Sequence, residues 1–241
     1  SIRKFARELG INLERVRGSG RKGRITRDDV TAFTRAIMSG DQASGAGKSA
    51  LALFEIPAVD FSKFGPVETV PLTRLNKLSS LHVHRSWINI PHVTNFDEAD
   101  ITELEAYRAS KKSEAEKHGT KLTPLSFLIK AVVVALKKHP RFNSSLAPNG
   151  EELIMKHYYH IGVAVNTDQG LVVPVVKDAD NKGMYELAKE LATLAQKARD
   201  KKLPPADMQG GCFTISSLGH IGGTGFTPIV NAPEVAIMGV S

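Results

Sequence analysis

The sequence predicts an α/β (α+β) protein built from two units: a small two-helix domain over residues 1–38, then a larger domain over 51–241 with helices packed on a mixed sheet. Three observations carry this expectation. Positive charge is concentrated at one end, because residues 1–38 hold ten basic and four acidic side chains and so account for +6 of the net +7. A stretch over 39–50, rich in Gly, Ser and Ala and free of large apolar residues until Leu51, reads as a flexible linker. Beyond it, segments of helical period alternate with short β-branched runs.

Composition sets the outer limits. With 241 residues, 41% hydrophobic and 24% charged, the chain has the make-up of a folded protein, and disorder throughout is excluded. Its longest apolar run, Ala131 to Leu136, is far short of the roughly 18 to 20 residues that span a bilayer. The one cysteine, Cys212, has no internal disulfide partner, and no charged-then-apolar leader precedes the first helix. A cytoplasmic setting is expected. The chain opens on Ser1 rather than Met, so further sequence is expected at its flanks.

In the small unit, Ile2, Phe5, Ala6 and Leu9 share one helical face and Gly10 supplies the stop. Thr26, with Asp29 three residues on, reads as a capping box opening a second helix whose apolar face is Val30, Phe33 and Ile37. Residues 51–70 hold Pro57 and Pro66 and read as an extended arm. In the large unit, Asp100 and Glu103 open a helix to about Lys117, and Thr123-Pro124 open an apolar one ending at Pro140. Ile161 to Val165 and Leu171 to Val176 read as a hairpin with a five-residue turn, Asn166 to Gly170. Met184, Leu187, Leu191, Leu194 and Ala198 mark an amphipathic helix. Two strands follow, near Cys212–Ser216 and Val235–Val240.

Several patterns invite chemistry and are weighed on context. Gly18-Ser19-Gly20-Arg21-Lys22-Gly23 is a literal G-x-G-x-x-G, but the preceding Asn12 to Arg17 is too charged for the buried strand a dinucleotide fold requires. A structural turn or a loop facing an anionic partner is the better reading. The basic cluster suits a solvated face, nucleic acid or an acidic protein. Phe5 and Phe33 are claimed by helix cores and not free to stack on bases, so a protein partner is favoured and nucleic acid is not expected. His82, His84 and His92, and separately His157 and His160, lie close in sequence without the cysteines, carboxylates or H-E-x-x-H pattern of a zinc site, so no metal is expected. Cys212, between Gly211 and Phe213, reads as a small buried hydrophobe. Phe213-Thr214-Ile215-Ser216-Ser217-Leu218-Gly219 ends a strand in two hydroxyls, either of which could donate to a developing oxyanion or merely satisfy turn backbone.

Together these motifs resemble a known family over nearly the whole chain. Ile2 to Gly10 followed by Gly18 to Ile25 resembles the peripheral subunit-binding domain of 2-oxo acid dehydrogenase complexes. Ile90-Pro91-His92-Val93-Thr94, Arg141 to Ser145, Ile161 to Val165, Gly170 to Val175 and Phe213 to Ser216 resemble their acyltransferase core, a chloramphenicol-acetyltransferase-like fold. Gly210-Gly211-Cys212 and Asn231-Ala232-Pro233-Glu234 are similar to the form found in bacterial pyruvate dehydrogenase complexes.

The resemblance implies transfer of an acetyl group from a lipoyl thioester to coenzyme A, with the lipoyl group carried on an upstream domain. It implies Ser216 as stabiliser of the tetrahedral intermediate, Ser217 being the less favoured neighbour. Docking of dihydrolipoyl dehydrogenase and of the decarboxylating pyruvate dehydrogenase subunit through Arg3, Lys4, Arg7, Arg21 and Arg24 is also implied. So are homotrimers that assemble into a larger core, with active sites between neighbouring subunits. The family's proton-abstracting histidine sits in an H-x-x-x-D-G motif that none of the eight histidines of this sequence matches, and no lipoyl domain with its D-K-A loop is present. The catalytic core is therefore expected to be incomplete at its C-terminal end. A second reading, a non-catalytic scaffold that only docks dehydrogenase subunits, stays open beside the acyltransferase, which is favoured because Phe213 to Gly219 keeps the serine pattern.

Overall fold

A computed structural model of the chain describes residues 2–8, 11, 13, 16–20, 23–38, 58–168 and 170–241. The expected linker at 39–50 and the start of the arm lie outside the described residues, as do Leu9 and Gly10. The chain divides into two units between Thr69 and Val70.

In the first unit, apolar residues at helical spacing form α1 (Ile2–Glu8) and α2 (Arg27–Met38), which close on a small core of Ala6, Val16 and Val30 flanked by Phe5, Ile25 and Phe33. The capping box forms as expected. Thr26 N–H donates to Asp29 Oδ2 at 2.8 Å and Asp29 N–H to Thr26 Oγ1 at 3.3 Å. Asp29 also accepts from the Ser19 hydroxyl at 2.6 Å and the Ser19 N–H at 3.0 Å, so one carboxylate ties the glycine-rich loop to the start of α2. These bonds, the Ser19 hydroxyl first, hold the Asp29 carboxyl well below the usual carboxylate range. A depressed folded pKa means that this stabilisation is complete above the unfolded pKa of about 3.9 and is lost as pH falls toward the folded value. Asp29→Ala is expected to lower the melting temperature of a 1–38 peptide at pH 7, followed by circular dichroism, and to have little effect in strong acid. The G-x-G-x-x-G stretch is a turn: Gly20 bridges to Arg24, and a Cβ on Gly18 would sit 2.3 Å from the Gly23 carbonyl oxygen. That crowding explains the glycine without any phosphate. Residues 58–69 are exposed and hold a single turn of 3₁₀-helix at Phe61–Lys63.

In the second unit, helices α3 (Arg74–Asn89), α4 (Thr102–Ser110), α5 (Lys112–Lys117), α6 (Pro124–Lys138) and α7 (Met184–Arg199) accompany eight short strands. Pro124 opens α6, and Pro140 prevents its continuation past His139. The strands are β1 (Ser144–Leu146), β2 (Leu153–Met155), β3 (Ile161–Val163), β4 (Val165–Thr167), β5 (Gly170–Val172), β6 (Val175–Val176), β7 (Phe213–Ser217) and β8 (Ile237–Val240). The main sheet has the order β6-β3-β7-β8 and is mixed: β3 runs antiparallel to β6, while β3–β7 and β7–β8 are parallel. Because side chains alternate across a strand, Ile161, Val163 and Ile215 point to one face, where they meet Ile129, Val133 and Leu136 of α6 and Leu187 and Leu194 of α7. Leu187 is fully buried there. Leu187→Ala is expected to cost about 2 to 5 kcal/mol, seen as a lower midpoint for the second unit in urea.

The structure refines several readings of detail. The expected hairpin forms in one antiparallel register, from Ile161 opposite Val176 to Thr167 opposite Gly170, but it serves two sheets: β3 and β6 at its base join the main sheet, whereas β4 and β5 at its tip form a separate ribbon. Its turn is shorter than five residues, since Thr167 already pairs with Gly170. The helix expected from Asp100 to Lys117 is two helices, interrupted at Lys111, with Asp100 accepting from the backbone and hydroxyl of Thr102. Helix α3 and the β1–β2 hairpin were not expected at all. Among the described residues, no helix is long and apolar enough to cross a membrane.

Candidate functional site

The parallel pairing of β7 with β3 and β8 decides where its two terminal serines point. Thr214 and Ser216 share a register face with Gly162 and Gly239, whereas Ile215 and Ser217 share one with Val163, Met238 and Val240. Since Ile215 faces the helices, Ser216 faces away from them and Ser217 faces them. Neighbours in sequence thus serve opposite sides of one sheet.

Each side has a cavity. On the helix side, Ser217 and Leu218 border a cleft of about 1160 Å³ whose other walls include Val163, Val165 and the Leu191 and Leu194 side chains of α7. The exposed Ser217 Oγ accepts the Gly219 N–H at 3.2 Å, which is the turn-satisfying role weighed for it from sequence. On the opposite side, Gly239, the register partner of Ser216, lines a cavity of about 780 Å³ together with His92, Phe226 and Pro228. A Cβ at 239 would lie 3.1 Å from the Phe226 ring and 3.2 Å from Pro228, so glycine lets that ring approach the sheet beside Ser216. Ser216 is half-buried. The larger cleft offers mostly hydrocarbon to a substrate. The smaller cavity sits beside a hydroxyl not engaged in turn bonding, and is the better candidate.

His92, inside the family-like Ile90 to Thr94 segment, has both ring nitrogens engaged. Nε2 accepts the Val230 N–H at 2.9 Å, which places the proton on Nδ1, and Nδ1–H donates to the Ile90 carbonyl at 2.6 Å. It is a clamp between two cavity walls and has no free lone pair for proton abstraction. His82 Nε2–H donates to Asn231 Oδ1 at 3.0 Å, and His160 Nδ1 accepts the Asp178 N–H at 3.0 Å. Among the described residues no cluster of three or more His, Cys, Asp or Glu side chains could hold a metal ion.

Cys212 is fully buried, as its apolar neighbours suggest. Its Sγ accepts the His160 N–H at 3.0 Å, and burial pushes its thiol pKa up, away from nucleophilic character. The sequence reading had no view of the 230–234 loop as a structural element. Its Glu234 is buried and accepts from Asn231 Nδ2, which also lies 3.5 Å from Thr214 Oγ1 of β7. Asn-x-Pro-Glu directly ahead of an apolar strand was the available signal.

In the first unit, Lys4 and Arg24 are exposed, while the Arg27 guanidinium lies 4.4 Å from the centre of the Phe5 ring. Arg3 and Arg7 lie on α1, with side chains outside the described residues, as is Arg21 entirely. Of the five expected partner contacts, Lys4 and Arg24 are the two whose exposure the structure fixes.

Comparison with known proteins agrees with this arrangement. Residues 64–241 match the catalytic domain of the 2-oxoacid dehydrogenases acyltransferase family, and residues 1–31 match the e3 binding domain. The dihydrolipoyllysine-residue acetyltransferase component of the pyruvate dehydrogenase complex of Cupriavidus necator is 56% identical over 247 residues, covering all of this chain and 44% of its own length. A crystal structure of the dihydrolipoamide acetyltransferase of Azotobacter vinelandii, from work on a serine, a histidine and an asparagine in its catalytic mechanism, superposes with a TM-score of 0.77 at 60% identity, over 78% of this chain and 77% of the other. The cubic core of a pyruvate dehydrogenase multienzyme complex gives the same values. The chain spans less than half the length of the Cupriavidus necator relative and of a Pseudomonas aeruginosa relative to which it is 57% identical. On these matches and on the mixed sheet that carries them, the chain belongs to the 2-oxoacid dehydrogenase acyltransferase family, with an E3-binding domain ahead of the catalytic-domain core.

Proposed function

We propose that the protein transfers an acetyl group between a lipoyl thioester and coenzyme A as the core component of a cytoplasmic pyruvate dehydrogenase complex, and that its first unit docks the peripheral dehydrogenases. The observation that carries the reading is the separation of Ser216 from Ser217. Ser216, and not Ser217, lies opposite Gly239, which lines the cavity together with His92 and Phe226.

Thioester exchange between two thiols needs two things from a protein: a base for the incoming thiol proton and a donor for the carbonyl oxygen as negative charge grows on it. Ser216 Oγ–H is the donor. Held at the end of a hydrogen-bonded strand, it loses little freedom when it engages the oxygen. The family resemblance assigns the proton acceptor to an H-x-x-x-D-G histidine, and His92, both of whose ring nitrogens are engaged, does not compete for the role. A cavity of about 780 Å³ with an apolar ring and a polar rim suits the flexible, partly apolar arms of lipoamide and coenzyme A. The Cupriavidus necator relative supports acetyl as the acyl group, and the cubic-core structure supports a multi-subunit core, for which homotrimers are the expected building block. Exposed Phe96, Trp87 and Val93 supply apolar surface for subunit contact.

The test is acetyl transfer from acetyl-CoA to dihydrolipoamide by the intact protein. Saturable transfer is expected, with acetyl preferred over branched acyl groups. Dehydrogenase docking without any acyl transfer would favour the scaffold reading instead.

A further inference from the structure

Beneath the candidate serine lies a polar cluster that the mechanism above does not use. Glu234 is only 3% exposed. Its Oε1 accepts Asn231 Nδ2–H at 3.2 Å, and its carboxyl is also hydrogen-bonded by the Thr214 hydroxyl. Asn231 Nδ2 lies 3.5 Å from Thr214 Oγ1 as well. Thr214 is itself fully buried and shares its face of β7 with Ser216, two residues on.

The same loop is gripped from every other side. Asn231 Oδ1 accepts from His82 on α3, the Ala232 N–H donates to Ser86 of α3 at 3.4 Å, the Ser145 hydroxyl donates to the Pro233 carbonyl at 2.6 Å, and the Val230 N–H donates to His92. Glu234 is therefore the point at which a loop tied to the cavity wall meets the strand that carries Ser216.

We propose that Glu234 is a positioning residue for Ser216, acting as a hydrogen-bonding hub rather than as a charge. The inference rests on the acyltransfer reading above. Glu234 Oε2 has no hydrogen-bond partner among the described residues, and the ammonium of Lys156, whose charge reaches this cluster, donates to the Ser144 carbonyl instead at 3.3 Å. A buried carboxylate with no ammonium in hydrogen-bonding contact is disfavoured as a charge, whereas a neutral acid keeps Oε1 as the acceptor for Asn231 and Thr214. Burial raises the Glu234 pKa in the same sense. Without this hub, Thr214 and Asn231 lose a shared anchor, and the end of β7 gains freedom where an oxyanion donor must be held to about half an ångström.

The experiment compares Glu234→Gln, Glu234→Ala and Thr214→Val in the intact protein, measuring acetyl transfer from acetyl-CoA to dihydrolipoamide. Glu234→Ala is expected to lower kcat about tenfold, with KM for both substrates within about twofold, while Glu234→Gln restores kcat to within about twofold of wild type. Thr214→Val, nearly isosteric, is expected to reproduce the kcat loss, and the Glu234→Ala/Thr214→Val double variant to be no worse than either single change. If Glu234→Ala does not fold, Thr214→Val against Glu234→Gln decides the question. Wild-type kcat in Glu234→Ala or Thr214→Val, or a Gln variant as impaired as Ala, overturns the proposal. Inactive wild-type protein overturns the acyltransfer reading instead.

Discussion

Replacing Ser216 by alanine in the intact protein is expected to lower kcat for acetyl transfer by about 10²-fold or more, the scale of losing one oxyanion donor, while KM for coenzyme A changes little. The split follows from the role assigned to the hydroxyl: it lies opposite Gly239 of the cavity wall and is asked only to meet the developing oxyanion, not to hold a distant part of the substrate. Ser217→Ala should change kcat by less than about threefold, because Ser217 faces the helices and its oxygen is engaged with the Gly219 N–H. Steady-state kinetics on the two variants side by side is the check. A damaging Ser217 change beside a silent Ser216 change would reverse the assignment of the two faces.

The second large effect concerns docking. Arg24→Ala, and with it Lys4→Ala, is expected to weaken binding of dihydrolipoyl dehydrogenase more than tenfold each, about the 1.4 kcal/mol or more expected when one member of a desolvated charge pair is removed. Both side chains are exposed on a unit that carries most of the protein's net charge. Arg27→Ala should cost fold stability as well as affinity, since its guanidinium packs on Phe5. Raising salt should slow association more than it speeds dissociation. Titration calorimetry with salt-dependent stopped-flow measurements reads both quantities. Salt-independent binding to the dehydrogenase, or tight binding to duplex DNA with none to the dehydrogenase, would return the basic unit to another role.

What could be read from the sequence, and what could not, follows the range of the forces involved. Local signals were sound: the Thr26–Asp29 box caps α2, Pro124 opens α6, and the Met184 to Ala198 stripe is the buried face of α7. Helix α3 escaped because it is not amphipathic toward a core. Of its residues only Ser86 is buried, and Leu78, Leu81 and Trp87 are exposed, so no stripe announces it. The β1–β2 hairpin could have been found from Pro148-Asn149-Gly150, a turn signal that went unused. The placing of the base of the 161–176 hairpin in a larger sheet could not, because β3, while still paired with β6, takes β7 about fifty residues away on its other edge, and no local pattern encodes that partner.

The site shows the same division. Ser216 was legible as a hydroxyl at a strand end, with its preference over Ser217 resting on resemblance; that the two lie on opposite faces follows from the register of β7 with β8, which is not a local property of the sequence. Glu234 was visible only as part of a family-like stretch. Its burial against Thr214 and Asn231 depends on a loop folding back under a strand some twenty residues earlier.

A working acyltransferase and an inert docking scaffold are separated by incubating the intact protein with acetyl-CoA and dihydrolipoamide and following S-acetyldihydrolipoamide formation. For the acyltransferase, product accumulates with time, saturates in both substrates and falls about 10²-fold in Ser216→Ala. Protein that binds dihydrolipoyl dehydrogenase normally but forms no thioester, or that forms it equally well without the Ser216 hydroxyl, would contradict that reading.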